Sequence, residues 1–575
     1  MSSLVDAVPH DILKVLDWHR HADKGLAEEK LGEAAEWYWT EQLDIEGKAE
    51  RRSLLDVISG HHSTKGFWRR MLAYADRLST VAGRFRLVYD YWHAQGLNPF
   101  FVRVYGDIKE WGEEERRRVW SRIVGILREN MKRGGHPSEA YKEINELLSE
   151  FPADSRFPYT SLKTHHWLTD AIRRNCFFWE EIRRSTLEKR APSFEELYLV
   201  RISMPEVEFH RVKELRVVKE LRDGFFDLIS EALLRWSPLR VGDDLYLLCM
   251  KRAEINEILE ILSGRGLGFD VDVFKWSIGR DHEYSLRSVE GWSLSVSHED
   301  FDYVPESYAE YARILDGDYD YVAWVVIRPL DDMIELGERF LEWGEGELER
   351  RFGDRRVELH EVVREPAPFL SPDLALAIAE GYERFLEDCE GKIREWDGSA
   401  IVKSFGGAFF VCGLIDETEV FNIYWEIASL KSMLHIPVSL SVIVSKPKYP
   451  FWRILELSLN GGGLIFVVGE KILRLSDEDV AILREVSRFL RDVSRSQFHE
   501  IITKSRRAGL EELKFFIEGK AVDRKIPFNA AKKLCWMIDE FYKKYGDDWR
   551  AMIWRALKAL APYTRFDRRG RRGRG

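Results

Sequence analysis

The sequence predicts a multidomain α+β chain, helical at its N-terminal end, built on a duplicated βαββαβ unit in the middle, and helical again at its C-terminal end. Three observations predict this. Apolar residues recur at helical spacing through residues 1–190 and again after Asp477. Between Glu196 and about Gly469, short β-rich runs alternate with helical ones. Those runs form two copies of a single six-element order, an internal repeat. At 575 residues the chain holds several domains, since a domain averages ~150 residues.

The elements follow in order. In Ser63 to Ala82, the residues Trp68, Met71, Leu72, Ala75 and Leu78 share one helical face, and Ser63 stands as N-cap behind the helix-breaking Gly60. Further helices are expected over Glu113–Lys132 and Ser161–Leu187. The first repeat copy opens with the strand Leu197–Ser203 and a helix through Leu233–Leu234. Two strands around a Gly-Asp-Asp turn follow (Ser237–Met250), then a helix at Arg252–Ser263 and the strand Phe269–Ile278. The second copy opens with Tyr321–Ile327 and a helix from Asp331, followed by an insertion and a second helix (Pro372–Glu390). A hairpin at Ala400–Leu414, a helix at Glu417–Met433 and the strand Val438–Lys446 complete it. Each copy has the split, ferredoxin-like arrangement, with its hairpin turn at Gly242 or Gly407. Helices run on from Asp477 to Ala561, and an Arg/Gly tail expected to be disordered closes the chain.

Composition narrows the function. Acidic residues (98) exceed basic ones (87), and a net charge of −11 excludes a uniformly basic, nucleic-acid-gripping surface. The segment Arg565 to Gly575 carries a local +5, the kind of tail that binds nucleic-acid backbones or simply solubilises an end. Hydrophobic content of 45% and aromatic content of 13% exclude global disorder. No apolar run approaches the ~18–20 residues of a membrane helix, and the start lacks a signal-peptide pattern. A soluble, cytoplasmic protein with no membrane partner is expected. The five cysteines, with no CxxC pair, read as small buried hydrophobes in a reducing compartment.

Six segments together resemble one family. PHDILKVLDWHRHADK is similar to a His-Asp-Ile-Gly-Lys opening, and ISGHHSTKGFWRRMLAYADRLSTVAG to a His-His segment with its closing Ala-Asp-Arg-Leu-Ser. MPEVEFHRVKELRVVKELRDGFF resembles the start of a first palm domain. PAPFLSPDLALAIAEGYERFL and SLSVIVSKPKYPFWRILEL resemble the flanks of a second-palm hairpin, and DVSRSQFHEII the start of a C-terminal helical domain. In this order they resemble the large subunit of type III CRISPR effector complexes, which joins an HD nuclease to two polymerase/cyclase-type palms. The resemblance implies an HD-type domain over 1–100 with a helical extension over 101–192. It implies a first palm over 193–290, a linker over 291–315 and a second palm over 316–472. The C-terminal helical domain then spans 473–564 and the tail 565–575. It also implies antiviral defence as the role, with CRISPR RNA, target RNA, a single-stranded DNA substrate and other effector subunits as partners.

HD-type nuclease chemistry needs imidazoles and carboxylates around metal ions. Matched to the family, the ligands are His10, Asp11, His61, His62 and Asp76. Asp76 also stands out unaided: it lies on the apolar stripe of its helix, where a carboxylate must be paired or metal-bound. Arg69, Arg70 and Arg77 are its alternative partners. Mixed nitrogen and oxygen ligands favour Mn, Ni or Co over Mg. Two departures from the family stand out: Leu31 where another His is usual, and Leu13 for the motif's Gly. The neighbouring His19, His21 and Asp23 form an H-x-H-x-D cluster that could compensate for these departures, and they read first as a solvated helix end.

The palms depart further. The second-palm hairpin reads Gly406-Gly407-Ala408-Phe409 where the family has Gly-Gly-Asp-Asp, and Pro329 replaces a strand-end aspartate, so cyclic oligoadenylate synthesis there is not expected. The first palm keeps Gly242, Asp243 and Asp244, an ordinary hairpin turn or the remnant of an ATP site, but its first strand ends without an aspartate, leaving Glu206 or Glu208 as the candidate partners. Three readings stay open: a metal-dependent single-stranded DNA endonuclease with inactive palms, a non-catalytic RNA-binding scaffold, and a nucleotidyl polymerase or cyclase using the first-palm turn.

Overall fold

A computed structural model describes residues 9–17, 20–42, 49–62, 65, 67–79, 87–88, 96–135, 137–154, 158–203, 233–242, 244–263, 270–278, 284–292, 319–353, 357–358, 370–415, 419–447, 449, 451–459, 462–468 and 471–560. The Ser63 cap, His19, Glu206, Glu208, Asp243, the helix leading to Leu233 and the Arg/Gly tail lie outside these residues.

The N-terminal region is built on helices α1 (Lys24–Leu31), α2 (Leu54–Gly60), α3 (Phe67–Ser79), α4 (Glu113–Lys132), α5 (Pro137–Leu147), α6 (Leu162–Arg174) and α7 (Cys176–Leu187). The sequence reading missed its short strand pairs, β1 (Tyr38–Gln42) with β2 (Ala49–Ser53) and β4 (Phe100–Phe101) with β5 (Lys109–Glu110), and the pairing of β3 (Leu87–Val88) with the later β12 (Val357–Glu358). It also merged α6 and α7. They are separated by Asn175, whose backbone is extended and whose side chain accepts from the N–H groups of Phe177 and Phe178; this Asn cap restarts the helix. On α3, Trp68, Met71, Leu72, Ala75 and Leu78 are buried as their spacing requires, and Asp76 is buried with them.

The first sheet has strand order β10-β9-β6-β8-β7, with β6 (Glu196–Ser203), β7 (Leu239–Val241), β8 (Asp244–Cys249), β9 (Asp270–Ile278) and an added edge strand β10 (Tyr284–Trp292). Leaving out β10, this is the order 4-1-3-2 of a split βαββαβ unit. The second sheet, β13-β14-β11-β15-β16-β17, repeats it with β11 (Tyr321–Pro329), β13 (Gly398–Ser404), β14 (Gly407–Leu414) and β15 (Val438–Ser445). Two strands extend its edge, β16 (Gly463–Val468) and β17 (Lys471–Leu475). Two expected limits shift. Residues 291–292, assigned to a linker, finish β10, and the second hairpin turns at Phe405–Gly406, with Gly407 already in β14 and paired to Ser404.

Strand alternation divides the cores. Tyr198, Val200 and Ile202 face Ile255, Ile258 and Leu262 of α8 (Arg252–Ser263), while Leu197 and Leu199 face the large core shared with the N-terminal region. In the second palm, Val322, Trp324 and Val326 face Ile454 and Leu457 of a later helix. Ala323, Val325 and Ile327 face the large core, which also takes in α9 (Met333–Phe352), α10 (Pro372–Glu395) and α11 (Val420–Lys431). Burial on both faces explains why these strands read as continuous apolar runs. The C-terminal region follows as α12 (Asp477–Ser487) and further helices to Leu560.

One long-range contact positions the site. Helix α10 of the second palm lies along α6. Thr160 donates to Asp373 at 3.0 Å and Thr164 to Glu380 at 3.0 Å. A side chain on Gly381 would come within 2.4 Å of Val104, so only glycine permits this approach.

Candidate metal centre

The five residues that the family resemblance names come together, and two more join them. His10 and Asp11 precede and cap a short 3-10 turn (Ile12–Val15), Asp76 projects from the buried face of α3, and His61 and His62 close the end of α2. His165 enters from α6 and His21 from the turn before α1. Ligand atoms of His10, Asp11, Asp76 and His165 all lie within 4.8 Å of one another, as do those of His21, His61 and His62.

Asp11 stands between the two groups. Its Oδ2 is 3.3 Å from His165 Nε2, while its Oδ1 is 3.1 Å from His61 Nε2 and 3.6 Å from His21 Nε2. Asp76 Oδ1 lies 3.1 Å from His165 Nε2 and 3.4 Å from His10 Nε2. His10 and His165 approach at 3.2 Å and His21 and His62 at 3.0 Å, both through Nε2.

The outer contacts decide which ring nitrogens carry lone pairs. His61 Nδ1 sits 2.6 Å from the carbonyl of Ile58, so Nδ1 carries the proton and Nε2 is left basic. That Nε2 faces the Asp11 carboxylate at 3.1 Å outside hydrogen-bond geometry, and both atoms are buried without a hydrogen-bond partner. Two facing acceptors are repulsive unless a cation lies between them. Ser79 Oγ donates to the Asp76 carbonyl at 2.7 Å and so accepts from His165 Nδ1 at 3.1 Å, which directs the basic Nε2 of His165 at the two carboxylates. His166 does not join the ligand groups. It donates from Nδ1 to Asn145 Oδ1 (2.9 Å) and accepts at Nε2 from the Asp11 backbone N–H (3.3 Å), fixing Asp11 in place. Such outer-shell contacts accompany metal-binding histidines generally.

The electrostatics agree. Burial alone would push Asp11 up, but Lys14 (2.5 Å), then His10 and His165, hold it well below the carboxylate range. Burial also opposes Asp76, and hydrogen bonds from His10 and His165 hold it well below as well. His165 reverses its own burial through the same two carboxylates and is pushed up to about 9, so without metal a proton occupies the place of a cation. Desolvation, then the neighbouring His61, pushes His62 down to about 4, which leaves it neutral at the rim. Lys14 is itself buried and donates to the carbonyl of Ala153. Seven side chains thus offer five imidazoles and two carboxylates, a donor set that suits a transition ion better than Mg.

Several expectations need correcting. His21 is not a solvated helix end but a member of the second histidine group, while Asp23 does act as a helix end, capping α1 through the Leu26 N–H. Of the arginines offered to Asp76, Arg70 donates instead to the carbonyl of Arg190, and Arg69 lies 3.9 Å from Asp56. Leu31 and Leu13 are fully buried in the core. The missed His165 and His166 lie beyond residue 100, so the helical extension supplies part of the site. Their only sequence signal is a His-His pair on an otherwise apolar helix face.

The palms present a different picture. Gly242 turns with φ of +60°. Asp244 is buried and accepts from the Phe405 N–H of the other palm's turn at 2.7 Å. Arg201 of β6 pairs with Asp272 and faces the ring of Phe405. Glu383 occupies the space a side chain on Gly242 would need and takes Lys403 at 3.2 Å. In the second palm Ala408 and Phe409 are buried and Arg328 lies over the Phe409 ring. Asp331 pairs with Arg339 at 2.6 Å, and Asp332 caps α9. Among the described residues, no metal-competent group of His, Cys, Asp or Glu forms in either palm.

No protein-family model matches the chain, and no curated protein matches it. Solved structures do. The chain is similar to the crystal structure of Csm1 in T.onnurineus, with a TM-score of 0.46 and 12% identity over 97% of this chain and 100% of that one. It is similar to the Csm1-Csm4 cassette in complex with one ATP, with a TM-score of 0.49 and 13% identity over 98% and 99%. The same cassette in complex with cA4 gives a TM-score of 0.48 and 11% identity over 96% and 99%. No helix among the described residues is long and apolar enough to cross a membrane.

Proposed function

We propose that the chain is a divergent large subunit of a type III CRISPR effector complex whose His/Asp cluster is a metal-dependent nuclease site for single-stranded DNA. The observation that carries the nuclease reading is Asp11, set between two groups of ligands with one carboxylate oxygen aimed at each. On this reading His10, Asp11, Asp76 and His165 hold one divalent ion, and His21, His61, His62 and Asp11 a second. Bound divalent ions would polarise a phosphodiester and make water a nucleophile at neutral pH. The chain's own residues do the rest. Lys14 holds Asp11 ionised and oriented from behind. Ser79 and the Ile58 carbonyl fix the tautomers of His165 and His61. His62, neutral and at the rim, is the member of the cluster that solvent and substrate reach first. The partners are CRISPR RNA, target RNA and the other effector subunits.

The palms serve as architecture on this reading. Asp244 accepts from the Phe405 N–H and so ties the two hairpins to each other. The test is a single-stranded DNA cleavage assay with Mn²⁺, Ni²⁺ or Mg²⁺, comparing the wild type with His10→Ala/Asp11→Ala. Metal-dependent cutting that the double variant abolishes is expected. Equal inactivity of both, with partner subunits and target RNA present, transfers the function to the non-catalytic scaffold. ATP turnover that Asp243→Ala abolishes would instead favour the polymerase or cyclase reading.

A further inference from the structure

A second concave site lies apart from the metal centre, between α11 of the second palm and α12 of the C-terminal region. It is a cavity of about 480 Å³ lined by Trp425, Ser429, Lys392, Arg484, Arg488 and Arg491. That volume falls within the range of small-ligand pockets, ~300–1,000 Å³. The three arginines follow at i, i+4 and i+7 along α12 and the turns after it, so they point to one side. None of the three has an ion-pair partner among the described residues.

What distinguishes these three arginines is that they line one cavity beside an indole. In the same region Lys504 pairs with Glu512, Lys514 with Asp539, Lys520 with Glu500, Lys533 with Glu485 and Lys544 with Asp479. In a chain of net charge −11, three cations thus converge on this one cavity. Glu426 also lines the cavity and accepts from Trp396 Nε1 at 3.2 Å, and Lys392 pairs with Glu395 at 2.9 Å. Trp425 is held by its own Nε1, which donates to the Val480 carbonyl at 3.4 Å. The wall is therefore an anchored indole beside three guanidinium groups. Guanidinium forks match phosphate oxygens, and an indole face stacks on any base.

We propose that this cavity binds the phosphodiester backbone of a single-stranded nucleic acid, with one base against Trp425 and successive phosphates on Arg484, Arg488 and Arg491. It is independent of the nuclease reading, since it shares no residue with the His/Asp cluster.

The test is fluorescence anisotropy on the full chain in EDTA, which stops metal-dependent cleavage, using short labelled RNA and DNA of one sequence across a salt series. Arg484→Ala/Arg488→Ala/Arg491→Ala is expected to weaken binding at least about tenfold and to flatten the logarithmic salt slope by about 2, from ~0.7 per lost phosphate contact on a single strand. The corresponding triple Lys variant should keep the slope. Trp425→Leu should weaken binding several-fold and leave the slope unchanged. Loss with RNA alone, DNA alone or both identifies which strand supplies the phosphates. Unchanged affinity and slope in the triple Ala variant would overturn the proposal. So would capture of an acidic peptide that depends on these arginines while strand binding does not, which would make the cavity a protein-docking site.

Discussion

Ser79→Ala tests the proposed metal centre through a residue outside its ligand groups. Ser79 Oγ donates to the Asp76 carbonyl (2.7 Å), accepts from His165 Nδ1 (3.1 Å) and meets Thr169 Oγ1 at 3.0 Å. Removing it leaves the Nδ1–H of a fully buried imidazole without an acceptor, which costs about 1–3 kcal/mol. Part of that cost falls on the fold. The rest falls on the metal-loaded state, because His165 loses what keeps Nδ1 protonated and Nε2 basic. Outer-shell losses of this kind reduce metal affinity by roughly 10- to 100-fold, or about 1.4–2.7 kcal/mol. The assay is Mn²⁺ titration by calorimetry on the wild type, Ser79→Ala and Ser79→Thr, with melting curves in EDTA to separate the fold contribution. Ser79→Thr restores the acceptor and should recover most of the affinity. Wild-type Mn²⁺ affinity in a folded Ser79→Ala chain would refute the tautomer argument.

Other outcomes follow from the same geometry. Because His165 is raised to about 9 in the metal-free chain, metal must displace its proton, so Mn²⁺ binding at pH 7 should release a proton to the buffer and tighten as pH rises toward 9. The folded pKa lies above the ordinary 6.5, so the stability His165 gives the metal-free chain is fully present below pH 6.5 and lost as pH climbs through about 9; melting in EDTA across that window, wild type against His165→Asn, shows it. Asp11→Asn removes the carboxylate shared by both ligand groups and should lower the number of ions retained per chain, read by elemental analysis after desalting. Asp244→Ala orphans the buried Phe405 N–H and should cost about 1–3 kcal/mol of stability, seen as a lower unfolding midpoint. Asp244→Asn, which keeps an acceptor oxygen, should cost less.

The repeat was legible because strand and helix periods are local. Each copy spells its six elements in order, and the sheets pair as those elements require. The candidate site was legible only where residues sit in motifs. His10-Asp11 and His61-His62 are doublets, and Asp76 betrays itself as a carboxylate on an apolar stripe. His165 reaches the centre from 155 residues away, because α6 packs on α3, and no spacing rule carries that distance. His21 was misread because its partners, His62 and Asp11, are brought to it by tertiary packing rather than by its own turn. The short strand pairs of the N-terminal region were lost for a similar reason, since β4 and β5 are two residues each and give no period to read.

The same packing explains why palms without a carboxylate set should keep their fold. Helix α6 carries His165 and His166, and its outer face is held by α10 of the second palm. Thr164, the residue before His165, donates to Glu380, and Thr160 donates to Asp373. Burial pushes Asp373 up to about 6 despite hydrogen bonds from Ser371 and Thr160, so this contact rests on a carboxylate whose ionised form is disfavoured inside the seam. Arg384 of the same helix reaches Glu150, which also takes Arg103 and Lys109. A metal ligand displaced by even an ångström costs coordination, and α6 is fixed by α3 on one side and by the palm on the other. A side chain on Gly381 would force α10 away from Val104. The second repeat unit is therefore tied, through α10, to the helix that carries His165 and His166.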